Sequence, residues 1–528
     1  MIKNRNFFKK SERGQVIVLV AAAFVGLVAA FGLMVDGGIL LIEYGRLKRG
    51  IDAASVAAAA QFRKGYQTQD LINAGEELLK YNQSVATVTV QTCKGDGAGN
   101  DQDLTLCPAS GEPARKLVRV TASRTVNFGF LPLIGIRSTT ITANSVGEAA
   151  SIDMVIALDT SSSMAYETTV GGNENLSDPG TASSPGDDPR VCNFTSAIPG
   201  RCEPMGTVKD VAKQFVSKMF FPYDRVALVT SASQTIGISG VAARDPVLLL
   251  PFNDNQDSAG VATTEIQDAI DNVKVLTPVN CDINYWNDPY AVDFTAPGPC
   301  LMDQDPTQYP GRYYGDLCFP YTFPPPYPDP PADPPNPGDP TTCAPSNIGG
   351  ALNMAGDQFI SARQEAYWVV IDLFGGPPNA TTSHITNGPV NGFCPPEDWG
   401  LPGFCRDEDP TSSNRHYLVN GVYDPLYDAD DFARDAADHV ASPTKGQGAT
   451  IFAICMGNPC QNYIASDYAD RDSADRLGHY MAEQAGDDPS ASPPVVANHG
   501  LYFYSQNSAG LTAIFDAIAA NIFTRISQ

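Results

Sequence analysis

At 528 residues the chain is too long for one ordinary domain, and its length predicts about two to four. Hydrophobic residues at 43% against charged residues at 18% exclude a disordered chain, and 59 Asp+Glu against 34 Lys+Arg, a net charge of −25, exclude nucleic acid as a natural partner. Twelve cysteines with 42 prolines and 46 glycines predict long loops stapled in an oxidising space, unlike a cytosolic enzyme.

The basic residues gather at the start. Residues 1–14 hold Lys3, Arg5, Lys9, Lys10 and Arg13 against Glu12, a local balance of +4. The uncharged run Gly14 to Val35 follows. As a helix rising about 1.5 Å per residue it spans roughly 33 Å, enough to cross a bilayer. The division is a cytoplasmic basic segment at 1–14 and a transmembrane helix at 15–36. Because the basic flank precedes the span, the N-terminus is expected in the cytoplasm and the bulk of the chain outside it, at the cell surface. The apolar core exceeds that of an ordinary signal peptide, although Val28-Ala29-Ala30 offers a small-residue cleavage site. Beyond Val35 a helical rhythm without proline continues.

That stretch, through Asp36-Gly37-Gly38 and on to Arg46, Lys48, Arg49, Asp52-Ala53-Ala54 and Ala57 to Ala60, resembles the N-terminus of the TadE/TadG-like proteins of bacterial tight-adherence (Flp) pilus assembly. The resemblance implies an anchored pilus-system protein whose partners are other pilus-assembly components. TadE-type pseudopilins carry glycine at a processing site and glutamate five residues beyond. Here Gly14 is followed at that distance by Leu19, a departure that favours a TadG-like anchored protein over a polymerising pilin.

Residues 37–150 read as a helix stalk followed by a small β-rich module, with strands in VATVTVQTC, KLVRVTASRTVNF and STTITANSV. Cys93 and Cys107 are expected to pair across a hairpin. The loop between them is a flexible tip. Its glycines Gly95, Gly97 and Gly99 have the wrong context for a nucleotide loop, and Asp96, Asp101 and Asp103 are solvated charge by default and weak calcium ligands at most.

Residues 151–528 alternate strands and helices. The buried-type strand Ser151 to Leu158 runs into Asp159-Thr160-Ser161-Ser162-Ser163-Met164. A helix is expected from Thr207 to Phe220 and a strand from Asp224. SNIGGALNMAGDQFI from Ser346 precedes the strand EAYWVVIDLFGGPPN. A helix from Asp428 to Ala441 and a strand from Ala449 to Asn458 come next, then a closing strand and helix. This order predicts an α/β fold with a doubly wound, mostly parallel sheet covered on both faces.

With Asp-x-Ser-x-Ser at the exit of its first strand, the order resembles a von Willebrand factor A domain over residues 151–528. That resemblance implies a metal-ion-dependent adhesion site for Mg²⁺ or another divalent cation. Hard cations of this kind take oxygen ligands and retain some waters. Asp159, Ser161 and Ser163 match the first-loop positions, and Ser346 stands where the family has threonine. Gly375 stands where the family's second aspartate is expected. Asp372, three residues earlier, is expected on the opposite strand face. The alternative is a retained loop whose serines cap a helix or bond backbone.

Insertions are expected near 165–204, 279–345 and 377–425, the second with a proline tract of stiff polyproline character. Neighbour pairing gives Cys93–Cys107, Cys192–Cys202, Cys281–Cys300, Cys318–Cys343, Cys394–Cys405 and Cys455–Cys460. The four cysteines at 281–343 admit three connectivities. No Cys-x-x-Cys, Walker loop, His-Glu-x-x-His or Gly-x-Ser-x-Gly occurs, and the five histidines are scattered, so no enzymatic activity is expected. Two functions follow: an adhesion-type protein that binds protein or surface ligands, or a structural pilus-assembly factor whose metal motif has lost its function.

Overall fold

A computed structural model describes residues 13–62, 65–82, 87–95, 101–109, 112–161, 164, 180–181, 184–185, 204–231, 245–257, 259–275, 346–376, 378, 380–382, 415–416, 418–419, 422–423, 427–457, 460 and 473–526. Ser163 lies outside these residues, as do the expected pairs Cys192–Cys202, Cys281–Cys300, Cys318–Cys343 and Cys394–Cys405 and most of the three insertions. The chain forms two compact units, Met1–Ala149 and Ala150–Gln528.

The first unit opens with one uninterrupted helix, α1 (Arg13–Ala59). No proline falls within it, so the apolar run and the segment beyond Val35 share one hydrogen-bonded rod. Its first half leaves Val16 to Val35 largely exposed, and it is long and apolar enough to cross a membrane. Its second half buries Leu47, Ile51, Ala54 and Ala58. This half packs on a three-stranded antiparallel sheet, β1 (Thr87–Thr92), β2 (Lys116–Asn127) and β3 (Ser138–Ala149), with β2 in the middle. Alternation in β2 turns Val118, Val120 and Ala122 inward. Gly147 of β3 lets the helix approach closely: a Cβ there would lie 2.2 Å from the Ser55 carbonyl oxygen.

A second helix, α2 (Thr68–Asn82), also packs on α1 and is not anticipated by the sequence reading. Cys93 and Cys107 form the expected disulfide. Asp103, read above as solvated charge, caps a 3₁₀ turn by accepting from the Thr105 N–H (2.9 Å) and pairs with Arg119.

The second unit is built on a six-stranded sheet. Its strands are β4 (Ile152–Leu158), β5 (Arg225–Thr230), β6 (Val247–Asn253), β7 (Tyr367–Phe374), β8 (Thr450–Met456) and β9 (Tyr502–Ser505). The spatial order is β9-β8-β7-β4-β5-β6, parallel throughout except that β6 runs antiparallel to β5.

Both faces are covered, so the strands are apolar on successive residues. Met154, Ile156 and Leu158 of β4 face a core shared with α3 (Met205–Val216), α4 (Glu265–Asp271) and α8 (Leu511–Ile526). Val155 and Ala157 face the other core, with α5 (Ile348–Phe359), α6 (Ala429–Ala441) and α7 (Ser473–Glu483). Asp428 caps α6 in a reciprocal box with Asp431, which satisfies donors that the first turn leaves free. Cys455 and Cys460 form the second described disulfide, also as expected.

At the amino end of β4 the side chain of Asp153 is fully buried between two arginines. Arg225 Nε and Nη2 donate to it at 2.9 and 2.6 Å, and Arg363 Nη2 donates at 2.5 Å. Burial alone would raise this carboxyl, but hydrogen bonds and charge from Arg225 and Arg363 outweigh burial and hold it below the ordinary value of 3.8.

Candidate functional site

The sheet order reverses at β4: the chain leaves it for β5 on one side and later returns to β7 on the other. In open α/β sheets the crevice at such a reversal, beyond the carboxyl ends of the strands, is where ligands bind. Asp159 is the first residue past β4. Its N–H donates to the Leu373 carbonyl of β7 (2.8 Å), and the Ser231 N–H past β5 donates to the Leu158 carbonyl (2.9 Å). The loop is therefore tied to both neighbouring strands.

Three hydroxyls converge on the Asp159 carboxylate. Ser161 Oγ and Ser346 Oγ each donate to Oδ2 at 3.1 Å. Ser231 Oγ donates to Oδ1 at 2.8 Å. The Ser161 N–H donates to Oδ1 (2.9 Å) and the Gly375 N–H to Oδ2 (3.2 Å). Asp159, Ser161, Ser231 and Ser346 are all nearly buried. Ser346 is placed by α5, whose N-cap Asn347 accepts from the Gly350 N–H (2.9 Å), so the positive end of that helix begins beside the cluster.

The structure thus brings together Asp159, Ser161 and Ser346 of the residues singled out in the sequence. At Gly375 it supplies a backbone N–H where a second carboxylate was expected. A partial positive charge thus stands at the turn where a negative one would strengthen a cation site.

Asp372 corrects the sequence reading. Counting three residues back from Gly375 put it on the opposite face, but β7 ends at Phe374 and strand alternation does not extend into the turn. Within β7, Asp372 alternates with Val370 and Phe374, which belong to the core under α5 together with Val155 and Ala157. In register it stands opposite Ala157, two residues before Asp159. It is 2% exposed, and its Oδ2 has no hydrogen-bond partner among the described residues. Burial pushes its carboxyl well above the ordinary aspartate value, and the charge of Asp159 pushes the same way.

Thr381 also buries a hydroxyl without a partner among the described residues, in a segment that approaches α5 where Asn347 Nδ2 lies 3.5 Å from Thr382 Oγ1. Ser231 was missed because it belongs to no motif; its one sequence signal is its place just past the strand that neighbours β4.

The donor set is one of hard oxygens, three hydroxyls around the Asp159 carboxylate with a second acid, Asp372, nearby. That chemistry fits a divalent cation such as Mg²⁺. The Asp372 Oδ2 and the Thr381 hydroxyl are buried near the cluster without a hydrogen-bond partner among the described residues.

No family model and no curated protein matches the chain. Among solved structures it is similar to the pilus adhesin SpaC from Lactobacillus rhamnosus GG, at 12% identity and a TM-score of 0.34, over 79% of this chain and 34% of that one. It is also similar to a variant of the PilB minor pilin from Streptococcus sanguinis (11%, TM-score 0.32, 92% and 97%). A third is the pilus adhesin RrgA from Streptococcus pneumoniae (10%, TM-score 0.30, 84% and 49%). The chain spans about a third of the length of SpaC and about half that of RrgA.

Proposed function

We propose that this is a membrane-anchored, extracytoplasmic protein of a tight-adherence pilus system that binds protein or surface ligands through a von Willebrand factor A-like unit. The N-terminus is cytoplasmic, α1 is the anchor, and the Asp159 cluster holds Mg²⁺ or a related cation. Asp159, Ser161 and Ser346 supply oxygens. Ser163 takes its family role, and Asp372 contributes the negative charge that Gly375 lacks. The bound cation would accept an acidic group of the partner at an open position; the unit does no covalent chemistry.

The observation that carries this reading is the convergence of Ser161 and Ser346 on Asp159 Oδ2 at the sheet's reversal point. Titration with Mg²⁺ or Mn²⁺ should show binding that Asp159→Ala abolishes. No binding at millimolar metal would remove the cation from the reading.

The Gly375 N–H on Asp159 favours a second reading, a docking factor for pilus assembly with a metal-free loop. A deletion strain separates the two: loss of surface pili indicates assembly, whereas normal pili with lost attachment indicate adhesion. Pull-down of partners with and without EDTA separates them at the level of binding.

A further inference from the structure

The connection between β2 and β3 carries an apolar tip with no charged residue. Gly129 to Ile136 reads GFLPLIGI, and Leu133 and Ile134 are 82% and 73% exposed, with Phe130 and Ile136 also exposed. This tip is ordered. Residues Leu131–Ile134 form a 3₁₀ turn closed by Gly135 in the left-handed region (φ 96°). The N–H groups of Leu133, Gly135 and Ile136 donate to Phe130, Pro132 and Leu131 carbonyls at 3.0 to 3.1 Å.

The remaining donors at its base go to one carboxylate. Asp36, buried in the middle of α1, accepts from the N–H groups of Gly129 (2.7 Å), Phe130 (3.0 Å) and Leu131 (2.7 Å). One turn earlier on α1, Phe130 sits so close to Gly32 that a Cβ there would lie 2.8 Å from the Phe130 Cβ. The tip is therefore fastened to the last turn of the apolar run. Around it α1 exposes Phe31, Leu33, Met34 and Val35.

We propose that this hairpin tip inserts into the acyl–headgroup boundary of the membrane leaflet facing the bulk of the chain, alongside α1. The inference rests on reading α1 as a membrane span and adds a second point of attachment. Three features select lipid as the occupant. The exposed apolar tip is continuous with the apolar surface of α1, which needs the same cover. Its backbone donors are satisfied from within, as hydrocarbon requires and water does not. Arg137 follows the tip directly and is exposed, placed to reach lipid phosphates while its stem lies along the boundary. Asp36, a charge at the end of an apolar run, is kept from lipid by the same three N–H groups.

The test uses the full chain reconstituted in vesicles of phosphatidylcholine and phosphatidylglycerol, with lipids brominated either near the headgroup or near the chain end. The three native tryptophans, Trp286, Trp368 and Trp399, all lie beyond Ala150, so an added tryptophan is read by difference. Leu133→Trp and Ile134→Trp should show blue-shifted emission that shallow bromines quench more than deep ones, while Phe24→Trp in mid-span should be quenched by deep bromines. Quenching at Phe24→Trp with none at either tip position overturns the inference and leaves the span standing. A tip tryptophan that is blue-shifted but unquenched also overturns it, since a second copy of the chain or another protein then covers the tip. If Phe24→Trp too escapes quenching, the span reading fails and the inference falls with it.

Discussion

Replacing Asp372 with asparagine removes the ionisable proton while keeping nearly the same shape, so it isolates the charge that this buried acid can offer a cation. Two residues along a strand are about 6.6 Å and the neighbouring strand is about 4.8 Å away, which puts Asp372 roughly 8 Å from the Asp159 position. At an effective dielectric of about 20, unit charges that far apart interact by about 2 kcal/mol, and a divalent cation doubles this to about 4. Asp372 must first release the proton that burial and Asp159 favour, which takes part of the gain back. A net loss of about 2 kcal/mol in the variant corresponds to roughly thirtyfold weaker binding. Isothermal titration calorimetry with Mn²⁺ in buffers of different ionisation enthalpy reads both quantities: wild-type binding should release a proton, and Asp372→Asn should bind more weakly and release none. Without metal, the variant should be of similar stability to wild type, because a protonated acid and an amide are both neutral polar groups in the same buried place. Equal affinity and equal proton release in the two proteins would refute the role given to Asp372.

Three further outcomes follow from two other buried carboxylates. Asp153→Ala leaves Arg225 and Arg363 without their shared counter-ion and should cost about 3–5 kcal/mol of stability, measured by denaturation followed at Trp368. Because Asp153 titrates lower in the folded chain than its ordinary 3.8, the unfolded chain takes up the proton first as pH falls. The stability it supplies is complete above that value and drains away below it, and Asp153→Asn should lack this slope. Asp36→Ala strips the acceptor from three backbone donors at charge-assisted strengths of about 1.5–3 kcal/mol each. Hydrogen exchange at Gly129, Phe130 and Leu131 should rise tenfold or more, with exchange in β2 unchanged at Val118 and Val120; unchanged exchange at the tip would show that other contacts hold it.

What was legible in the sequence was what one strand or helix carries by itself. Ile152 to Leu158 is apolar at every position but Asp153, which marks a strand buried on both faces, and the parallel order follows from strands alternating with helices. Cys93–Cys107 and Cys455–Cys460 were legible because short separations leave few competing partners. The edge strand β6 was not: Pro251 interrupts its pattern, and an antiparallel edge tolerates a proline that a central strand would reject. Asp36 read as the polar end of an apolar run, and only the folded chain shows which N–H groups it holds.

The site was legible by half, and the illegible half bears most on function. Gly375 reads in sequence as a lost ligand, which favours a metal-free loop. A loop that had ceased to bind cations would be relieved of any need for a second acid beneath it, and a buried carboxylate with an unpartnered oxygen destabilises the fold that contains it. An apolar residue at position 372 would join the core that holds Val370 and Phe374 without that cost. Asp159 by contrast is fully served by Ser161, Ser231, Ser346 and Gly375, and needs no ion to be stable. Stability therefore accounts for Asp159 and not for Asp372. Under the cation-binding proposal, Asp372 would bring the second charge from the end of the strand in place of the turn.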